Sequence, residues 1–135
     1  MSIRPSTDRS RRGVAAVEFA VCLPVLVLVV FGSIEACTMV FLKESLTVAA
    51  YEGSRLALQP TATEADVITR CQEVLTDRKV QAATVQLTPS VLSSVPGGDS
   101  IEILVSAPCG SNAVIPVWFY GGTTLTGRST VMKEY

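Results

Sequence analysis

The chain contains no histidine among its 135 residues. Catalytic triads built on histidine and the common histidine-rich zinc sites are therefore excluded, because both need the imidazole ring. The glycine-containing stretches PGGDS and YGGTT lack the spacing of a nucleotide-binding loop and are typical of turns. No nucleophile–base pair is evident among the other residues. We expect no enzyme activity, no cofactor and no metal site.

Charged residues are also scarce, at 17% of the chain. Residues 43–135 contain seven Lys or Arg and nine Asp or Glu, so they form no basic surface. Nucleic-acid binding depends on such a surface to neutralise phosphates. We therefore exclude nucleic acid as a partner.

The sequence does have a long apolar segment, residues 14–42, in which the only charges are Glu18 and Glu35. As a helix it would be ~43 Å long at ~1.5 Å per residue, more than the ~30 Å hydrocarbon core requires. The uninterrupted apolar run Phe19–Ile34 is shorter than the ~20 residues of a full span. It reaches that length only if Glu35 lies near an interface or is buried in protein. We predict a transmembrane helix.

Four arginines precede this segment against one aspartate, Asp8, which predicts a cytoplasmic N-terminus and a basic leader over residues 1–13. Residues 1–12 show no pattern and are expected to be disordered. The remaining chain would then lie outside the cytoplasm. A cleaved secretory signal is the rival interpretation, but no small-residue cleavage site follows the apolar core at the required distance.

The helix is expected to continue beyond residue 42 to about residue 58, because no helix breaker precedes Gln59-Pro60 except Gly53. Ala49, Gly53 and Ala57 recur every four residues, and small residues at this spacing let another backbone approach closely. Glycine inside a helix costs ~1 kcal/mol relative to alanine. We therefore predict a packed seam at these three positions.

Residues 59–135 are expected to form an extracytoplasmic α+β domain. Thr63 with Asp66 resembles a capping box, and an apolar stripe predicts a second, amphipathic helix over 64–78. AATVQLTP and IEILVSA alternate in polarity and predict a hairpin, and LTGRSTVMKEY is a third β-prone stretch. The fold class is thus α+β, with a long N-terminal helix, a second helix and a small three-stranded antiparallel sheet.

Two features of this domain have alternative interpretations. Cys71 and Cys109 are both expected to face the helix–sheet interface, so they form either a disulfide, which we predict, or two buried free thiols. The aromatic stretch Trp118, Phe119 and Tyr120 either docks on a membrane interface or partner, or covers the apolar face of the sheet. We favour covering of the sheet.

RRGVAAVEFA has a glycine after basic residues and a glutamate five residues later, an arrangement similar to the processing site of type IV prepilins. Together with LTVAAYEGSRLA, residues 11–58 resemble the TadE-like family of Tad (Flp) pilus assembly proteins. The resemblance implies that a prepilin peptidase cuts between Gly13 and Val14. We expect Glu18 and Glu35, both on this helix, to act in assembly or helix packing.

The resemblance further implies a minor pilin or pseudopilin of an adhesion pilus, anchored in the bacterial cytoplasmic membrane by a single pass. Its partners would be the prepilin peptidase, other pilins of the Tad system and the inner-membrane assembly platform. The alternative is an uncleaved bitopic membrane protein whose outer domain binds a ligand or a partner. The two hypotheses differ in the N-terminal residue of the mature protein.

Overall fold

The computed structural model describes residues 8–115 and 118–134, with side chains from Gly13 onward apart from that of Ser94. Of residues 1–12, which were expected to be disordered, residues 8–12 are helical, and residues 1–7 lie outside the described residues. Helix α1 extends over Asp8–Ala57, so it begins earlier than the expected Val14 and ends where the sequence predicts. The chain divides between Ile34 and Glu35 into two compact units.

In the first unit, α1 displays large apolar side chains to its surroundings in every direction. The exposed fractions of Leu23, Val27 and Phe31 are 44%, 41% and 46%, and several other apolar side chains of this unit have larger exposed fractions. The helix has a stretch with a mean hydropathy of 2.7, none of which is buried. By length and composition it can cross a membrane.

In the second unit, the rest of α1 and helix α2, Glu64–Asp77, accompany a three-stranded antiparallel sheet. Its strands are β1 (Thr84–Thr88), β2 (Ser100–Pro108) and β3 (Thr124–Met132), in the order β1-β2-β3. The central strand pairs Val105 with Val85 on one side and with Gly127 on the other. The predicted α+β class is confirmed, with both helices and all three strands where the sequence indicated.

The core lies between the helices and one face of the sheet. Every second residue of β2 points into it, as its alternation predicts, and Ile101, Ile103 and Val105 are fully buried. From the helices come apolar side chains at helical spacing: Met39, Leu42, Leu46, Ala49, Ala50 and Ala57 of α1, and Val67, Cys71 and Leu75 of α2. Burial of this surface is the main force that holds the second unit together.

The start of α2 is fixed by a capping box, also as predicted. The Thr63 hydroxyl oxygen accepts from the Asp66 amide at 3.3 Å, and the Asp66 carboxylate accepts from the Thr63 amide at 2.9 Å. The hydrogen bonds from the Thr63 side chain and backbone lower the pKa of Asp66. These bonds satisfy amide groups that the first turn of a helix leaves without partners.

Gly127 in β3 lets the strand approach α1 very closely. A Cβ at this position would lie 2.5 Å from both the Leu46 carbonyl oxygen and the Thr47 amide nitrogen. Nearby, the Lys43 ammonium group donates to the carbonyl oxygen of Thr126. Backbone meets backbone here, so only glycine fits.

Candidate functional site

The predicted processing residues lie in the first unit, near the start of α1. Nothing lies within 4 Å of a Cβ placed at Gly13, and the Val14 side chain is 58% exposed. Glu18 is exposed too and follows Val14 by four residues on the helix. Residues four apart lie one above the other on the same helical face. An amine at the nitrogen of Val14 would thus lie one turn from the Glu18 carboxylate.

Glu35, the first residue of the second unit, is only 3% exposed. Its Oε1 accepts hydrogen bonds from three consecutive backbone N–H groups, those of Trp118 at 3.1 Å, Phe119 at 2.9 Å and Tyr120 at 3.0 Å. A buried carboxylate must be compensated in this way, because transfer of a bare charge out of water is very costly. The sequence indicated that the apolar run is long enough for a membrane span only if Glu35 lies near an interface or is buried in protein. The structure meets the second condition.

The aromatic residues bound through their backbone to Glu35 point their side chains outward. Trp118 is 70% exposed, Phe119 72% and Tyr120 37%. The favoured interpretation, in which these side chains cover the sheet, is therefore wrong. The face of the sheet is covered by α1 and α2 instead, which leaves the aromatic loop no apolar surface there to fill.

The predicted seam of small residues is buried in the second unit. Ala49 is fully buried and Ala57 is 5% exposed. A Cβ at Gly53 would overlap the Sγ of Cys71 and lie 3.3 Å from the Cδ1 of Ile103. The seam thus receives α2 and the sheet of the same chain.

Cys71 and Cys109 are buried, Cys22 and Cys37 are exposed, and all four cysteines are free. The predicted disulfide between Cys71 and Cys109 is not formed in the structure. The Cys71 thiol lies against Gly53 and donates to the carbonyl oxygen of Ala49 at 3.4 Å. Burial raises the pKa of Cys71 to about 11 and also raises that of Cys109, so both thiols stay protonated at neutral pH.

Ionic contacts on the second unit lie at its surface. Arg70 of α2 bonds Glu52 at 3.2 Å and Glu73 at 3.3 Å, and these two hydrogen bonds raise the pKa of the guanidinium. Arg128 bonds Glu102 across the sheet at 2.7 Å. Exposed pairs of this kind contribute little to stability. Within residues 8–115 and 118–134, no group of three or more His, Cys, Asp or Glu side chains is placed to hold a metal ion.

Comparison with known proteins assigns one segment of the chain to a family. Residues 13–55 match the family TadE, TadE-like protein. The predicted resemblance is confirmed over these residues, which begin at Gly13 and extend almost to the end of α1. No curated protein and no solved structure was found to match.

The TadE-like segment thus includes Gly13, Val14, Glu18, Glu35, and two of the three seam residues, Ala49 and Gly53. Two features of the site were not predicted. The contact between Glu35 and the aromatic loop uses backbone donors, which leave no pattern in a sequence. Gly127 does have a signal, since glycine inside a β-prone stretch often marks a close approach of two backbones.

Proposed function

We propose that this protein is a minor pilin or pseudopilin of a Tad (Flp) pilus, acting in pilus assembly or initiation, with no enzyme activity of its own. The TadE-like match that begins at Gly13 is the observation that carries this proposal. A prepilin peptidase would cut between Gly13 and Val14. The rest of the chain would stay anchored in the bacterial cytoplasmic membrane by one helix, with its N-terminus at the cytoplasmic side.

Glu18 supports a role in assembly after the cut. A charged residue inside the hydrocarbon core is costly, about 2.5–3.5 kcal/mol at the centre on insertion scales and less near the surface, so a partner in the membrane would stabilise the Glu18 carboxylate. Cleavage would create one, because a free α-amino group such as that of Val14 is largely cationic at neutral pH in water. That amine would pair with Glu18 of the same subunit or of a neighbouring one.

The second unit favours a minor role over that of the main subunit. It adds two helical segments and a sheet with its own buried core, residues 35–134, to the TadE-like helix. Major pilins of this type consist of little more than the helix. The partners would be the peptidase, other Tad pilins and the inner-membrane assembly platform, with the second unit outside the cytoplasm.

The intact mass of the protein extracted from membranes tests this proposal most directly. We expect a mature chain that begins at Val14. Gly13→Leu should leave the full-length precursor, because the peptidase needs the backbone accessible at the bond. Glu18→Ala should be processed normally but should fail to assemble. Gly32→Ala is the matched control, since nothing lies within 4 Å of a Cβ there either.

A mature protein that still contains its leader in a piliated cell would contradict the processing step. The alternative, an uncleaved bitopic protein with a partner-binding outer domain, would then be favoured. The exposed side chains of Trp118 and Phe119 are the observation that supports it.

A further inference from the structure

The loop that Glu35 holds presents an unusual surface. Trp118 and Phe119 are 70% and 72% exposed, although large aromatic side chains normally find cover. The surrounding residues 110–127 contain no Asp, Glu, Lys or Arg. This uncharged loop could therefore enter a less polar medium without the desolvation of any charge of its own.

Glu35 fixes the point along α1 at which the loop lies. Three N–H groups of the loop bond one carboxylate oxygen, at 2.9–3.1 Å, and Glu35 directly follows the apolar run that ends at Ile34. The loop is thus attached at the charged residue that ends the uninterrupted apolar run Phe19–Ile34.

Helix geometry relates that residue to the bilayer. From Val14 to Glu35 an α-helix rises about 32 Å, at ~1.5 Å per residue. The hydrocarbon core is ~30 Å thick. If Val14 lies at the cytoplasmic surface of the core, Glu35 lies at the opposite surface, and the aromatic loop lies with it.

We propose that Trp118, Phe119 and Tyr120 form an interfacial anchor that inserts into the headgroup region of the outer leaflet. Tryptophan and tyrosine favour this region, because their rings are apolar while their N–H and O–H groups can stay hydrated. Glu35 is the positioning residue: it holds the loop at the membrane surface, and the loop in turn satisfies its charge. The inference rests on the membrane-spanning helix of the proposed function.

Trp118 is the only tryptophan of the chain, so its fluorescence reports on this loop alone. The full-length protein would be reconstituted in phosphatidylcholine–phosphatidylglycerol vesicles and recovered by flotation. Quenching by iodide in the water would be compared with quenching by lipids that have a spin label near the headgroup or at the end of the acyl chain. We expect a blue-shifted emission, weak quenching by iodide, and stronger quenching by the shallow label than by the deep one.

Two variants test the role of Glu35. Glu35→Gln removes the charge that the three N–H groups stabilise, so the loop should detach, with a loss of lipid quenching and a gain of iodide quenching. Glu44→Gln changes an exposed glutamate of the same helix and should leave both unchanged.

The outcomes separate the two proposals. Vesicle-bound protein whose Trp118 is quenched by iodide and not by lipid would overturn the anchor and leave the membrane helix standing. Shielding of Trp118 from both quenchers, increasing with protein density, would overturn it in favour of contact with a second copy. Failure to float with vesicles would contradict both the anchor and the membrane helix.

Discussion

The two parts of α1 before and after residue 34 have different surroundings in the same secondary structure. Before it, large apolar side chains are exposed all round, as with Val17 at 65% and Val29 at 61%. After it, one face is buried, and Leu46 and Ala49 have no exposed surface. The second part of the helix is covered by the chain's own sheet and second helix.

This difference shows that helix length and apolar content do not determine what covers a helix. One face of the later part exposes charged residues such as Lys43 and Arg55, together with Val40 and Phe41. The other face buries Leu46 and small residues such as Ala49, a pattern that suits packing on a sheet. The earlier part has no polar face and needs lipid or other subunits as its cover. Substitutions that add bulk to the buried face of the later part should therefore destabilise the isolated protein, and similar substitutions in the earlier part should not.

The largest effect is expected from Gly127→Ala. The new methyl group would overlap the backbone of Leu46 and Thr47, which cannot move aside as a side chain can. Because overpacking costs about 1–3 kcal/mol even where side chains can shift, we expect a loss beyond about 3 kcal/mol. Denaturant unfolding and protease resistance of the detergent-solubilised protein measure it. Gly122→Ala is the control, because nothing lies within 4 Å of its Cβ position. Equal stability of the two variants would show that the close approach of β3 to α1 does not contribute to the stability of the second unit.

Alkaline pH should weaken the second unit through Cys71. Its pKa is raised in the folded state to about 11, so the stabilisation from the neutral thiol is full below the ordinary thiol pKa of about 8.5 and is lost as pH rises through about 11. The loss should reach about 3 kcal/mol. The free energy of unfolding of the wild type and of Cys71→Ala would be measured in denaturant over this pH range. The difference between their pH dependences is the contribution of Cys71.

Cys37→Ala is the matched control for this measurement, because Cys37 is an exposed cysteine on α1. It should retain the wild-type pH dependence. If Cys71→Ala loses stability with pH as steeply as the wild type does, the buried thiol is not the group responsible.

The smallest effect is expected when two glycines of α1 are replaced by alanine and the stabilities of the two variants are compared. Gly53→Ala places a methyl group against the Cys71 thiol, while Gly32→Ala meets nothing within 4 Å. Both gain about 1 kcal/mol of helix propensity. For Gly53 the overlap, worth about 1–3 kcal/mol, should offset that gain and leave a net loss of about 1 kcal/mol. Thermal unfolding in detergent should rank Gly32→Ala at or above the wild type and Gly53→Ala below it. The reverse order would contradict the distinction between the two parts of α1.

Local patterns in the sequence were enough to predict most of the fold. The capping box at Thr63 and Asp66 and the alternation of Ile101, Ile103 and Val105 act over a few residues, so they can be read before any tertiary structure is known. The TadE-like segment was predictable for the same reason, because Gly13 and Glu18 lie close together in the chain.

Features that depend on the direction of a side chain in three dimensions could not be predicted in this way. Cys71 was correctly placed on the buried stripe of α2, but its thiol faces Gly53, so the expected disulfide with Cys109 is not formed. Trp118 was expected on the sheet, because a sequence does not show that the helices already cover that face.

The bond between Glu35 and its loop also sets an order of events during synthesis of the protein. The three N–H donors come 83, 84 and 85 residues later in the chain. Glu35 is therefore synthesised long before the groups that bond it. In the proposed topology it would cross the membrane without these bonds, and the loop could stabilise its charge only after residues 118–120 had followed and the second unit had folded.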